Sequence, residues 1–491
     1  MSNFEQSEIV TSDAGGHPRG LAMLFFAEMW ERFCFYGMRS LLMLYMVSEV
    51  FKYNDETSAN IYGSYNAMIY LTPLIGGIVA DKLLGYRWTI LIGGLFMAVG
   101  QFTLVVQQEF CFYTGMAFMV VGNGMFKPNI STLVGKLYGE GNDAKKDAGF
   151  TIFYIGINLG AFLATLICGY FAKTGDWTYG FGIAGVGMLV GIFTFARGKA
   201  RLEGHGEPPN LEAFSGHRAK VIAGGLLVVP VVYFLLREDQ IVLWILIVAA
   251  TSTLGYLLVV AFQSGKVARE KIFVLLILWV FHFLFWAFFE QAGTSMTLFT
   301  DRNIDLDLAG WEFPAAWGQF FNPLFILIFG SVFTLLWVKL SSIGKNPSIP
   351  IKFALGLIQL GAGFGILVMG ASWADDAGLV SLFILIFCYL LHTTGELCIS
   401  PVGLSAVTKL APARMTGMVM GVWFMSIAFA HKIGGKIAAS MAVDTTTMTP
   451  ADTLPVYADT FMIITYSAVG AGFLLMILTP LFLKKWLHGV E

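Results

Sequence analysis

The chain has 491 residues, 57% of them hydrophobic and 13% charged, with a formal net charge of −2. Soluble domains carry about 25% charged residues, so single-span and surface-anchored readings fail and a multi-spanning membrane protein remains. No basic block or basic–aromatic array is present, which argues against a nucleic-acid partner. The five cysteines, Cys34, Cys111, Cys168, Cys388 and Cys398, lie in or beside apolar segments without CxxC spacing and read as small packing residues.

Residues 1–19 are polar and lack the basic-then-apolar pattern of a cleavable signal, so they read as a short cytoplasmic tail. Apolar runs of about 20 residues can cross a bilayer. Such runs predict helices at 20–49, 58–81, 86–108, 111–136, 147–172, 178–199, 219–236, 240–263, 269–300, 314–341, 349–372, 378–410, 413–439 and 455–486. Fourteen is an even number, so both termini share one side. Several runs exceed 25 residues and must tilt, kink or protrude.

Lys and Arg crowd alternate loops. One set holds Arg19, Lys82, Arg87, Lys136, Lys145, Lys146, Arg197 to Lys220, Lys266 to Lys271, Lys339 to Lys352, Lys409, Arg414, Lys484 and Lys485. The other holds Lys52, Lys173, Arg237 and Arg302, with Lys432 and Lys436 near one helix end. That bias places both termini in the cytoplasm. The polar stretch 200–218, with Gly and Pro-Pro, is the clearest break. The expected plan is an all-α membrane protein: a six-helix bundle at 20–199, the linker 200–218, an inserted helix pair at 219–263 and a second six-helix bundle at 269–486. Two such halves suggest a transporter that rocks around a central site.

The first helix carries Glu28, Glu31, Arg32 and Arg39 within an otherwise apolar run. Each charge costs roughly 2.5–3.5 kcal/mol to insert. At about 100° per residue, these four and Tyr36 fall within an arc of about 140°. One polar stripe of this kind must face protein or a water-filled cavity. Lys127, beside Pro128, then Glu290 and Glu396 are the further intramembrane charges. Four acids against three bases leave one unpaired carboxylate. Desolvation penalises its charged form, so it favours taking up a proton, which points to proton coupling and away from a passive pore.

Each residue also has a structural reading. Glu28 and Arg32 are spaced i,i+4 as an ordinary helix pair, and Lys127 could snorkel to an interface. Glu290 sits nearer the outer end, where a rim or gate role is as good as ligand contact. His282 and His392 read as packing histidines. Tyr36 lies on the stripe and is a pocket candidate, whereas Tyr70, Tyr154, Trp286 and Trp423 fit packing or an interface equally well. Asn158 and Asn322 interrupt apolar helices, where Asn often acts as packing glue.

Glu28-x-x-Glu31-Arg32-Phe33-x-Phe35-Tyr36-Gly37 resembles the ExxERFxYYG motif of the proton-coupled oligopeptide transporter (POT/PTR) family, a branch of the major facilitator superfamily. Gly76-Gly77 through Asp81, Gly85 and Arg87 resembles that family's first signature. Phe153-Tyr154-x-x-Ile157-Asn158-x-Gly160 resembles its FYxxINxG signature, and the Glu396 segment its tenth-helix motif. The extra helix pair is similar to the bacterial members. Phe35, where the motif usually has Tyr, and Ala161 are departures.

The resemblance implies that Glu28, Glu31, Arg32 and Glu290 couple protons. It implies that Arg39 and Lys127 bind a peptide carboxylate, and that Glu396 with Ser400 holds the peptide ammonium. Asn158 and Asn322 would bond the peptide backbone, while Tyr36, Tyr70, Tyr154, Trp286, Phe289 and Trp423 line side-chain pockets. The implied activity is inward symport of di- and tripeptides with protons across a bacterial inner membrane. No cofactor beyond the coupling proton is implied, and a monomeric unit is expected. Other branches carry nitrate, amino acids or peptide-like solutes. An enzyme is disfavoured, with no HExxH and no nucleophile–base set in the spans; a channel would need a continuous polar pore.

Overall fold

In hydrocarbon every backbone N–H and C=O must be satisfied within its own segment, which makes long apolar runs helical. The computed structural model describes residues 16–138, 143–412 and 415–490. Most of the expected tail and Arg414 lie outside these. The order is α1 (Arg19–Val47), α2 (Asp55–Leu71), α3 (Pro73–Val79), a π turn Ala80–Leu84, α4 (Gly85–Leu104), α5 (Glu109–Lys136), α6 (Asp143–Thr174) and α7 (Trp177–Arg197). Then come α8 (Phe214–Arg237), α9 (Asp239–Gln263), α10 (Lys266–Phe289), a 3-10 turn Glu290–Gly293, α11 (Ser295–Asn303), a 3-10 turn Ala315–Phe320 and α12 (Phe321–Ser342). The chain closes with α13 (Ile349–Ala371), α14 (Leu382–Leu410), α15 (Thr416–Ala439), α16 (Pro450–Leu478), a π turn Thr479–Leu483 and α17 (Lys484–Trp486).

Eleven described stretches are long and apolar enough to cross a membrane, with Asp55–Leu104 counted as one. Neither α1 nor α5 is among them. Those two helices carry Glu28, Glu31 and Arg32, and Asn123, Lys127 and Asn129.

Two expected helices are interrupted. The 58–81 run breaks at Thr72, because Pro73 lacks the N–H that would continue the ladder. A π turn then leads to Gly85, whose φ of +72° suits glycine. The 269–300 run stops at Phe289, and the 3-10 turn that follows places Glu290 on a helix end.

Helices α1, α4, α5, α6 and α7 pack mainly on one another; α10, α13, α14 and α16 form a second set with α15, which packs most extensively on α2 of the first part of the chain. Small residues allow the close approaches: a Cβ on Gly93 of α4 would lie 2.6 Å from the Gly122 carbonyl of α5. The α8–α9 pair straddles the two groups, α8 against α5 and α9 against α10 and α15. Its tip is tied to both, Arg237 to Glu109 at 3.4 Å and Asp239 to Lys436 at 2.5 Å.

The two groups meet at the end of the molecule that carries Arg302. Arg302 forms a forked pair with Asp55, Nη1 to Oδ2 at 2.6 Å and Nη2 to Oδ1 at 2.8 Å, and also reaches the Tyr457 hydroxyl. Gly63 of α2 lies against Gly435 of α15, where a Cβ would be 2.9 Å from the His431 carbonyl. Trp317 Nε1 donates to the Leu166 carbonyl at 3.0 Å. Short strands cap this end, Ile304–Asp305 parallel to Val380–Ser381 and Asp307–Leu308 antiparallel to Trp311–Glu312. At the opposite end Tyr154, Ile155, Pro401, Leu404 and Thr408 are exposed, and Gly417 and Gly421 face open space.

Candidate functional site

Helix α1 contributes two buried charge clusters. In the first, Arg32 Nε lies 3.1 Å from Glu28 Oε1 and also bonds Glu31. Asn123 Nδ2 of α5 donates to the other Glu31 oxygen at 2.9 Å. All four residues are buried, Glu31 and Asn123 completely. Such a pair survives burial only when further hydrogen bonds satisfy its atoms; Asn123 meets part of that need. Lys127, one turn on from Asn123, places its ammonium 4.4 Å from the centre of the Tyr70 ring, a cation–π contact. Among the described residues no carboxylate pairs directly with Lys127.

The second cluster crosses the chain. Arg39 bonds Glu290 through Nη2 and donates from Nε to the Tyr62 hydroxyl at 2.7 Å. Its guanidinium also lies over the Tyr36 ring at 5.7 Å. Glu290 can be reached because the 3-10 turn after α10 aims it at α1. His431 of α15 stands behind it, Nδ1 at 3.6 Å from Glu290 Oε2.

Glu396 lies across from this pair on α14 and accepts from Asn322 Nδ2 at 2.8 Å; the same amide nitrogen reaches Thr393 Oγ1 at 3.2 Å. A cavity of about 100 Å³ separates the two sides. Its walls include Tyr36, Arg39, Tyr70, Asn158, Trp286, Phe289, Glu290, Asn322 and Glu396. Nine expected residues therefore share one space, with a cation at one side and an anion at the other. A larger groove of about 830 Å³ lies between Arg19, Phe25, Ile152 and Arg201 at the α1 start, away from these charges.

The remaining expected residues lie elsewhere. Glu28, Glu31, Arg32 and Lys127 form the neighbouring charge layer, and Tyr154 is 39% exposed beyond the cavity. Ser400 is half-buried one turn past Glu396 and outside these walls. Trp423 packs on the His282 ring at 4.3 Å, and His282 bonds Ser426 and Trp286, so these form a structural layer beneath Trp286. Asn158 donates to its own helix at the Tyr154 carbonyl, 3.0 Å away.

Sequence reading missed Tyr62, Asn123, Tyr389, Gln319 and His431. Only Asn123 carried a local signal, sitting four residues before Lys127 on the same helix face. Among the described residues no group of three or more His, Cys, Asp or Glu could hold a metal ion.

A polytopic helical bundle with a bipolar central cavity, closed at one end, is the form of a membrane transporter rather than an enzyme. The PTR2 family pattern, described as POT family, matches residues 87–454, and the chain belongs to the POT family. It is 35% identical over 491 residues to the uncharacterized transporter YclF of Bacillus subtilis, covering 97% of this chain and 96% of that one. The peptide transporter YePEPT of Yersinia enterocolitica is 36% identical over 465 residues, covering 89% and 90%. A crystal structure of the peptide transporter POT, a mutant in complex with alafosfalin, superposes with a TM-score of 0.83 at 35% identity, covering 96% and 97%.

Proposed function

We propose that this chain is a proton-coupled symporter that moves di- and tripeptides inward by alternating access. The carrying observation is the bipolar cavity, with Arg39 on one wall and the Glu396–Asn322 pair on the other. A short peptide is a zwitterion, so it needs a cation for its carboxylate and an anion for its ammonium; aromatic walls from Tyr36, Trp286 and Phe289 accept varied side chains. The relatives named as peptide transporters support that substrate class.

The architecture we assign is a major facilitator fold of fourteen helices, counting Asp55–Leu104 as two crossings and adding α1 and α5 to the apolar stretches. The halves are 20–199 and 269–486, joined by the linker 200–218 and the inserted pair 219–263. The Arg302 end faces outward and both termini are cytoplasmic, on the Lys/Arg bias. A bacterial inner membrane and a monomeric unit complete the assignment.

In this conformation Arg39 is already occupied by Glu290, and the cavity is smaller than the roughly 300–1,000 Å³ of ordinary ligand pockets. Peptide binding therefore requires the Arg39–Glu290 pair to open, freeing Arg39 for the substrate carboxylate. The Glu28–Glu31–Arg32 cluster on the same helix as Arg39, with Lys127 of α5 beside it, is the buried charge network through which the opening of that pair is linked to proton uptake. Proteoliposomes with an inward proton gradient and labelled dialanine test the assignment. Accumulation above the external concentration is expected; none at all would sink it. In Lys127→Ala, gradient-driven uptake should fall by about ten-fold or more, and normal uptake would refute the charge-network account.

A further inference from the structure

His431 has no assigned role, yet it stands between the two charge clusters. It is 2% exposed, and neither ring nitrogen has a hydrogen-bond partner. Its Nδ1 is 3.6 Å from Glu290 Oε2, just beyond hydrogen-bond reach. Its ring lies against Tyr70, centroids 5.0 Å apart at 31°. The other side of that relation is Lys127, whose ammonium sits over the same Tyr70 ring at 4.4 Å. The sequence of neighbours thus runs Arg39, Glu290, His431, Tyr70, Lys127, from the cross-chain pair to the Glu28–Glu31–Arg32 cluster.

A buried imidazole with both nitrogens unpaired is costly. The shortfall is small: His431 Nδ1 stands 3.6 Å from Glu290 Oε2, against about 3.2 Å for the long end of an N–H···O bond, while Arg39 holds the carboxylate. Arg39 and His431 are alternative partners for one carboxylate. The groups acting on His431 are Glu290 from the turn after α10, Arg39 from α1, Tyr70 from α2 and Lys127 from α5, with Lys432 and Asp239 one step away. Among these groups Glu290 is the carboxylate within 4 Å of the ring.

We propose that His431 carries the transported proton through the outer gate. Resting on the symport reading above, the step runs as follows. When the Arg39–Glu290 pair opens toward the outside, the imidazole takes a proton from water, and the imidazolium N–H donates to the Glu290 carboxylate. When the gate closes, Arg39 reclaims Glu290. The imidazolium then loses its counter-ion and returns the proton to water on the Tyr70 side, which borders the cavity. One proton is bound with the gate open and released with it closed, so its movement has the same direction as the substrate's. The Gly63–Gly435 contact packs α2 tightly on α15 beside His431.

The test uses the full chain in proteoliposomes with labelled dialanine and two readouts. One is accumulation driven by an inward proton gradient. The other is counterflow at symmetrical pH, which needs gate movement but no net proton transfer. In His431→Gln, accumulation should fall about ten-fold or more while counterflow falls about three-fold or less, and the pH dependence of counterflow should flatten. Accumulation within about two-fold of wild type, or equal loss of both readouts, overturns the role. Glu290→Gln removes the counter-ion, so the double variant should lose no more accumulation than either single one; additive losses overturn the shared step. Wild-type protein that exchanges dialanine but never accumulates it would refute the symport reading itself, independently of any variant.

Discussion

The two charge clusters of α1 lie two turns apart and use the same residue types, but they connect different parts of the chain. Arg32 finds Glu28 and Glu31 on its own helix and Asn123 through α5. Every partner belongs to the set of helices before the linker. Arg39 finds Glu290, 251 residues away on the far side of the linker. Under the proposed alternating access, the first cluster would travel with one half, and its contacts need not change. The second joins segments on either side of the linker, so the proposed opening of the Arg302 end would have to break it. Buried ion pairs are poor evidence of stability. What distinguishes these two is whether the pairing is compatible with both arrangements of the bundle.

That contrast is easiest to break at Arg32. Arg32→Ala leaves Glu28 and Glu31 buried without their cation, which should destabilise the protein by about 3–5 kcal/mol. Thermal unfolding in detergent should show a large drop, and an unchanged Tm would place water, not Arg32, around those carboxylates. The second effect is conformational. Arg302→Ala removes the forked pair with Asp55 and should shift the balance of closed and open states by about 1–3 kcal/mol. Nitroxide labels at the exposed positions Glu49 and Asp307 should report longer distances at that end; an unaltered distribution would assign closure to the Gly63–Gly435 packing alone.

A smaller effect separates the two ends of the cavity. Glu396→Gln should weaken dialanine competition by about ten-fold, or ~1.4 kcal/mol, and leave N-acetyl-dialanine unaffected. Equal losses for both would remove the ammonium-binding role. The smallest is Phe35→Tyr. Phe35 is 2% exposed, under the Arg32 guanidinium at 5.5 Å and against Tyr36. An added hydroxyl must find a partner there, at a cost of about 1 kcal/mol or less if Arg32 accommodates it. Uptake within about two-fold of wild type is expected. A change in peptide preference would make Phe35 a selectivity position of this chain.

The polar stripe of α1 was legible because a charge inside an apolar run demands a reason, and helical spacing shows which charges share a face. Glu290 and Glu396 stood out the same way. Tyr62 and Tyr389 did not, since a tyrosine in an apolar helix looks the same whether its hydroxyl meets lipid headgroups or Arg39. Trp423 shows the converse: the family resemblance implied a pocket wall for it, and its neighbours His282 and Phe353 place it in packing beneath one. The break at Glu290 was also hidden, because residues 269–300 read as one continuous helix.

Sequence alone determined that the chain crosses a membrane many times, roughly where the helical runs lie, and which charges had to be sheltered. Those follow from local physics: the cost of unpaired backbone and charge in hydrocarbon, and the fixed period of the helix. Only the tertiary structure decided who pairs with whom. Arg39 could have faced Glu31, Glu290 or Glu396 on composition alone; the 3-10 turn after Phe289 and the close approach of α2 to α15 select Glu290 and bring His431 behind it. Pairing across the linker depends on distances between helices far apart in the chain, and no local pattern encodes those.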